Sequence, residues 1–294
     1  MLKIVVTTAV IFTAGITAGC SGGSAGTPAA TVSGVVADGY LREAEVFLDR
    51  NGNYQWDAGE PKTASRAGGA YTLSIASSDL GEYPVVCRAV AGSTVDEDTG
   101  QTVQNGYVIS APAGVTAFVS PMSSLIRGKM AANPDMTMAE AMTQLRNQFN
   151  MPSDVDMLAD YVAGSQSGQH QIHYQTMRET ARQMATLMAE QAPLVMNGSG
   201  VNVNRYRAMM GEINLNMPQI ADNAMNGLGM DSPFMTAMRN EMHATLQNVP
   251  IGAGFMNYSG MFRNMTSHSA FWNYTGNRWQ PGGMMGGGGM MVTR

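Results

Sequence analysis

The feature that most constrains this chain is a change in hydrophobic period near Val115. Upstream, the runs 31–38 (TVSGVVAD), 44–50 (AEVFLDR), 70–76 (AYTLSIA), 83–92 (YPVVCRAVAG) and 105–112 (NGYVISAP) are short and rich in Val, Tyr, Ile and Thr. Clusters of Gly, Asn and Asp separate them. Partial alternation over such runs puts apolar side chains on one face of a strand, and the punctuation marks turns. Downstream the period becomes helical. Met138, Met142, Leu145 and Phe149 share one face, Thr137 and Glu140 form a capping box ahead of them, and Pro152 closes the segment. A longer helix over about residues 168–194 continues the stripe with Met177, Ala181, Met184 and Met188. Another follows Ser232 and Pro233, with Phe234, Met238, Met242 and Leu246 at four-residue spacing. The pattern predicts an α+β, multi-domain chain: an antiparallel β-sandwich over 31–112, then an α-helical bundle over 113–250.

The two ends read differently. Residues 1–19 start with the lone Lys3, run through an apolar stretch from Ile4 to Ile16 and finish in small residues before Cys20. That is the three-part pattern of an export signal, and the apolar run is too short to span a bilayer comfortably. The site resembles the bacterial lipoprotein lipobox, with Thr17 where Leu is usual. The resemblance implies cleavage, acylation of Cys20 as the new N-terminus and, with Ser21 following, an address at the outer membrane. Residues 21–30, SGGSAGTPAA, have the composition of a flexible tether. The segment 251–294 ends in QPGGMMGGGGMMVTR, which has neither period nor helix propensity, and is expected to be a disordered Gly/Met-rich tail.

Net charge is −5, and becomes −6 without Lys3, which argues against nucleic acid and against a basic patch on anionic lipid. The membrane partner is therefore reached through the N-terminal lipid. Of the two cysteines, Cys20 is the lipidation site and Cys87 lies in an apolar alternating run, so no disulfide framework is expected. Cys87 reads as a small buried hydrophobe.

The segment that carries chemistry is DRNGNYQWDAGE, residues 49–60. Oxygen-bearing side chains fall at loop positions 1, 3, 5, 9 and 12, namely Asp49, Asn51, Asn53, Asp57 and Glu60, and Gln55 at position 7 can offer its backbone carbonyl. A hard divalent cation takes about six to eight oxygens, and this spacing wraps a short loop around one, with calcium the natural occupant. Tyr54 stands at position 6, where an EF-hand wants Gly for the sharp turn. Only three ligands are formal anions, which places affinity at about 10⁻⁵ to 10⁻³ M. The same residue types also favour a bare hairpin turn, so a metal-free loop is the alternative.

The loop and the strand after it resemble the SdrD B-like and carboxypeptidase-regulatory-like sandwich modules of bacterial surface proteins. Asp49, Asn51, Gly52, Asp57, Gly59, Glu60 and Pro61 match the family's loop, and Gly69, Tyr71 and Leu73 match its closing G-x-Y-x-L strand. The resemblance covers about 50 residues in a single copy. It implies calcium in the loop and a place in extracellular stalks or adhesion. The stretch SPMSSL, from Ser120, is similar to the V-T-P-L-T-T-L run that opens a helical region after such modules in envelope proteins.

Methionine is the compositional outlier, with 27 residues, several paired as Met209-Met210, Met284-Met285 and Met290-Met291. At helical spacing such stripes read as adaptable core filler. In the tail, beside His268, thioethers are soft ligands that select Cu(I). His170 and His173 are two histidines without a third ligand at zinc spacing. No G-x-S-x-G elbow, H-E-x-x-H, P-loop or dinucleotide fingerprint is present, and Ser123 and Ser124 have no His base in their motif. The chain is expected to be a non-catalytic envelope lipoprotein with a calcium-stabilised sandwich and a protein or glycan partner. The alternative is an envelope protein that handles Cu(I).

Overall fold

The computed structural model describes residues 29–250. The expected signal peptide, Cys20, most of the tether and the 251–294 tail lie outside the described residues, as do His268 and the last two methionine pairs.

The chain is α+β, with strands first and helices after. The strands are β1 (Ala29–Val36), β2 (Leu41–Arg42), β3 (Glu45–Leu48), β4 (Lys62–Ala64), β5 (Ala70–Ala76), β6 (Val85–Ala89), β7 (Val95–Asp96), β8 (Gln101–Thr102), β9 (Tyr107–Ala111) and β10 (Phe118–Val119). The helices are α1 (Pro121–Ala132), α2 (Met138–Gln148), α3 (Tyr161–Gly164), α4 (Gln171–Glu190), α5 (Ala192–Val195), α6 (Val203–Leu215), α7 (Met217–Met225) and α8 (Pro233–Asn248). A small hairpin, β11 (Met196–Asn197) with β12 (Gly200–Val201), separates α5 from α6.

β1 lies between β5, to which it runs antiparallel, and β10, to which it runs parallel. A second, antiparallel sheet has the order β4-β3-β6-β9, with Val46 opposite Cys87 and Cys87 opposite Ile109. The two sheets obey different rules. In β5, Tyr71, Leu73 and Ile75 are buried while Ala70, Thr72 and Ser74 face out, the alternation of a sheet with one wet face. In β9 all five residues are buried, and so are Val46, Phe47 and Leu48 in β3; α1 and α4 pack against β9, and β5 and β10 of the first sheet touch β3, β4, β6 and β9 of the second. Strands covered on both faces read as continuous apolar runs. Short β2, β4, β7, β8 and β10 have too few residues to show a period, and so the sequence does not announce them.

Two close approaches fix the first sheet. A Cβ on Gly34 would lie 1.8 Å from the Thr116 carbonyl oxygen, so only glycine lets the chain return alongside β1. Opposite it in register, Tyr71 donates its hydroxyl to the same carbonyl at 2.7 Å. Gly69, at φ 67°, presses against the Val36 carbonyl. The G-x-Y-x-L pattern is therefore a packing device: the Gly for approach, the Tyr for the carbonyl and the buried Leu73 for the core.

The serines of SPMSSL secure the outer edge of β9. Ser120 caps α1 and Pro121 begins it. The Ser123 hydroxyl donates to the Ser110 carbonyl at 2.7 Å, and the Ser124 hydroxyl accepts the Ser110 N–H at 2.8 Å. Tyr206 on α6 donates to the Val108 carbonyl at 3.2 Å. A buried edge strand has open backbone groups that need partners, and here helix side chains supply them. In α2 the Thr137–Glu140 capping box is formed in both directions. One cluster of buried apolar side chains runs from Val32 in β1 to Val249 after α8.

Asp38, after β1, is buried and accepts the Tyr107 hydroxyl at 2.8 Å through one oxygen, while the other has no partner among the described residues. Burial, with help from Asp96 and Asp98, raises its carboxyl to about 7 against the Tyr107 bond. Burial also raises Glu212, to about 7.

Two outcomes follow from these contacts. Ser124→Ala strands the buried Ser110 N–H and should cost about 1–3 kcal/mol in denaturant unfolding; an unchanged midpoint would show that the edge is held otherwise. For Asp38, the unfolded chain ionises near its ordinary 3.8 while the folded chain holds its proton up to about 7. Between those values the unfolded state binds fewer protons, so this group makes stability fall as pH rises. Asp38→Asn should gain on wild type across that window in melting experiments, and parallel profiles would contradict the assignment.

Candidate functional site

The 49–60 loop leaves β3 and returns as β4. Asp49, fully buried, accepts the N–H groups of Gly52 at 2.8 Å and Asn53 at 3.0 Å through Oδ1, and that of Tyr54 at 3.3 Å through Oδ2. Asn51 Oδ1 accepts the Asn53 N–H at 3.1 Å, and Asn53 Oδ1 accepts the Gln55 N–H at 2.9 Å. Successive Asp and Asn side chains thus turn the backbone by binding amides two or more residues ahead. Glu60 closes the neck, with Oε1 accepting the Arg50 N–H at 2.7 Å and Oε2 the Asp57 N–H at 3.0 Å.

Tyr54 takes the tight turn at φ 63°, a conformation that costs a side chain about 1–2 kcal/mol. Packing compensates for it. The Tyr54 ring is buried, its centroid lies 4.3 Å from that of Tyr206, and the Arg127 guanidinium sits over it at 4.1 Å. Aromatic pairing and a desolvated cation on a ring each add about 0.5–2 kcal/mol.

Arg127, on α1, reaches Asp49 Oδ2 at 2.8 Å, with both side chains buried. The loop has further ties. Arg50 bonds the Gly59 carbonyl at 2.8 Å and Asp79 at 2.5 Å. Trp56 Nε1 donates to the Glu60 carbonyl at 2.8 Å, and the Lys62 ammonium lies 4.0 Å from the Trp56 ring centroid. Gln55 Oε1 accepts the Val201 N–H at 3.2 Å, joining the loop to β12.

Of the six expected metal ligands, the structure brings three together. Asn51 and Asn53 donate their side-chain amides to Asp57 Oδ2 at 2.7 and 2.6 Å. The four carboxylate oxygens of Asp49 and Glu60 accept N–H donors instead, while the Gln55 side chain binds β12 and leaves its backbone carbonyl, the expected ligand, out of that contact. Among the described residues, no three His, Cys, Asp or Glu side chains are grouped to hold an ion. The positive charge beside Asp49 is a guanidinium.

Sequence reasoning missed Arg127 and Tyr206. Arg127 did leave a trace, as one of two charges, with Lys129, inside the otherwise apolar helix PMSSLIRGKMAA. Other candidates resolve into framework. Cys87 is a free, buried thiol whose pKa burial pushes well above its ordinary value. His170 Nε2 lies 3.1 Å from Asp154, and its ring centroid lies 5.6 Å from that of His173. Met177, Met184, Met188, Met209, Met235 and Met242 are buried in the core. Glu60→Gln keeps one acceptor and turns an NH2 toward the other amide. It should lower stability by about 1–3 kcal/mol, equally in chelator and in calcium; a loss confined to calcium-loaded protein would restore the metal-ligand role.

No family model, curated protein or solved structure matches this chain.

Proposed function

We propose that this chain is an exported, lipid-anchored protein of the bacterial envelope that works as a non-catalytic structural and binding module. The observation that supports the non-catalytic part is the engagement of its reactive groups. The Ser123 and Ser124 hydroxyls bind the Ser110 backbone, Cys87 is buried as a thiol, and Asp49 is paired with Arg127. A nucleophile must be free and activated by a base to act, and these groups are held in the framework.

In this reading the two facing sheets form a β-sandwich like that of the SdrD B-like modules, and the helices form a bundle joined to it. Support comes from the 49–60 loop between β3 and β4 and from Gly69, Tyr71 and Leu73 at and within β5, where Tyr71 and Leu73 are buried. Export and anchoring rest on residues 1–20, with Cys20 as the acylated residue. The acidic net charge favours a protein or glycan partner over nucleic acid. No helix among the described residues is long and apolar enough to cross a membrane, and in this reading the lipid makes the attachment.

Fractionation of the producing bacterium tests the anchor. The wild-type chain should label with palmitate and sediment with membranes, and Cys20→Ala should lose the label and become soluble. A variant that still sediments with membranes would remove the lipid from this account.

A further inference from the structure

We propose that Arg127 is the resident cation of the 49–60 loop, standing in the place that the loop's resemblance gives to calcium, so that the loop is locked from within the chain and independent of divalent ions.

The geometry makes the case in three steps. First, Asp49 is fully buried, and a buried carboxylate needs a charge partner. Arg127 supplies it at 2.8 Å, from a different element more than seventy positions along the chain. Second, the guanidinium is committed to this spot. Its side chain is buried, its Nη1 has no hydrogen-bond partner among the described residues, and it lies over the face of Tyr54 at 4.1 Å. A group so desolvated is not a surface ion pair that trades freely with solvent cations. Third, a divalent ion ligated by Asp49 would sit beside this fixed positive charge, where repulsion is weakly screened. It would also displace N–H donors from oxygens that already have them.

The proposal carries a reciprocal consequence. Without Arg127, Asp49 is a buried anion near the oxygens of Asn51, Asn53, Asp57 and Glu60, and a divalent cation is then what the loop lacks. One substitution should convert an ion-independent loop into an ion-dependent one. This inference does not depend on the membrane address.

The experiment is thermal melting of the full chain, purified in detergent, in chelator and in millimolar calcium chloride. Wild type should melt at the same temperature in both. Arg127→Met should melt lower in chelator, by about 10 °C for a broken buried pair in a domain of this size. Calcium should return part of that loss. The double variant Asp49→Asn with Arg127→Met, which removes both charges, should recover most of the stability in chelator and ignore calcium. If Arg127→Met does not fold in chelator, recovery of a cooperative melt on adding calcium supports the proposal in the same way. A wild-type melting temperature that rises with calcium overturns it. So does an Arg127→Met protein that calcium leaves unmoved.

Discussion

The Asp49–Arg127 pair is the contact on which the junction between the sheets and the helices depends. Removing two charges from water offsets most of what they gain from each other, so the pair adds little net stability over a well-packed apolar contact. What it adds is uniqueness. The guanidinium satisfies Asp49 in one placement of α1 against the end of β3, and Tyr54 is held between Arg127 and Tyr206 in that same placement. The loop therefore meets the second sheet through Asp49, α1 through Arg127, α6 through Tyr206 and the β11–β12 hairpin through Gln55. A segment whose composition suggests a solvent-facing turn keeps an exposed tip but anchors Asp49, Tyr54 and Glu60 in the interior.

The rest of the junction follows from the obligation of buried backbone groups to find partners. The second sheet ends at β9, an edge that the helices cover. Covering an edge strand removes the water that would have bonded its amides and carbonyls, and Ser123, Ser124 and Tyr206 take over that duty. Gly34 and Tyr71 do the equivalent at the first sheet, where the chain passes so closely that the Thr116 carbonyl has to be met by a hydroxyl opposite a residue with no side chain. Short polar residues at helix starts and glycines in strands are here parts of one solution.

How far the sequence discloses this depends on the range of each signal. The five longer upstream runs appear as β1, β3, β5, β6 and β9, and the methionine stripes as α2, α4 and α8, because period is a local property that survives without knowledge of the partner. α6 and α7 are not announced: Gly211 interrupts one, and the other starts beside Pro218 with only nine residues. At the loop, the turn chemistry of Asp49, Asn51 and Asn53 is legible because each binds amides a few residues ahead. The charge that neutralises Asp49 is not, since Arg127 arrives from another element and spacing cannot reveal it. A ligand pattern states which oxygens are available but not which donors reach them first.

The methionine-lined core has a chemical consequence. The sulfurs of Met177, Met184, Met188, Met209, Met235 and Met242 are packed among other apolar side chains, so a dissolved oxidant reaches them only when the helices part. A sulfoxide formed in that interval is polar and does not repack into the space the thioether filled. In oxidising surroundings, then, the helical half keeps a cumulative record of its own openings, and its working lifetime is governed by how often it breathes.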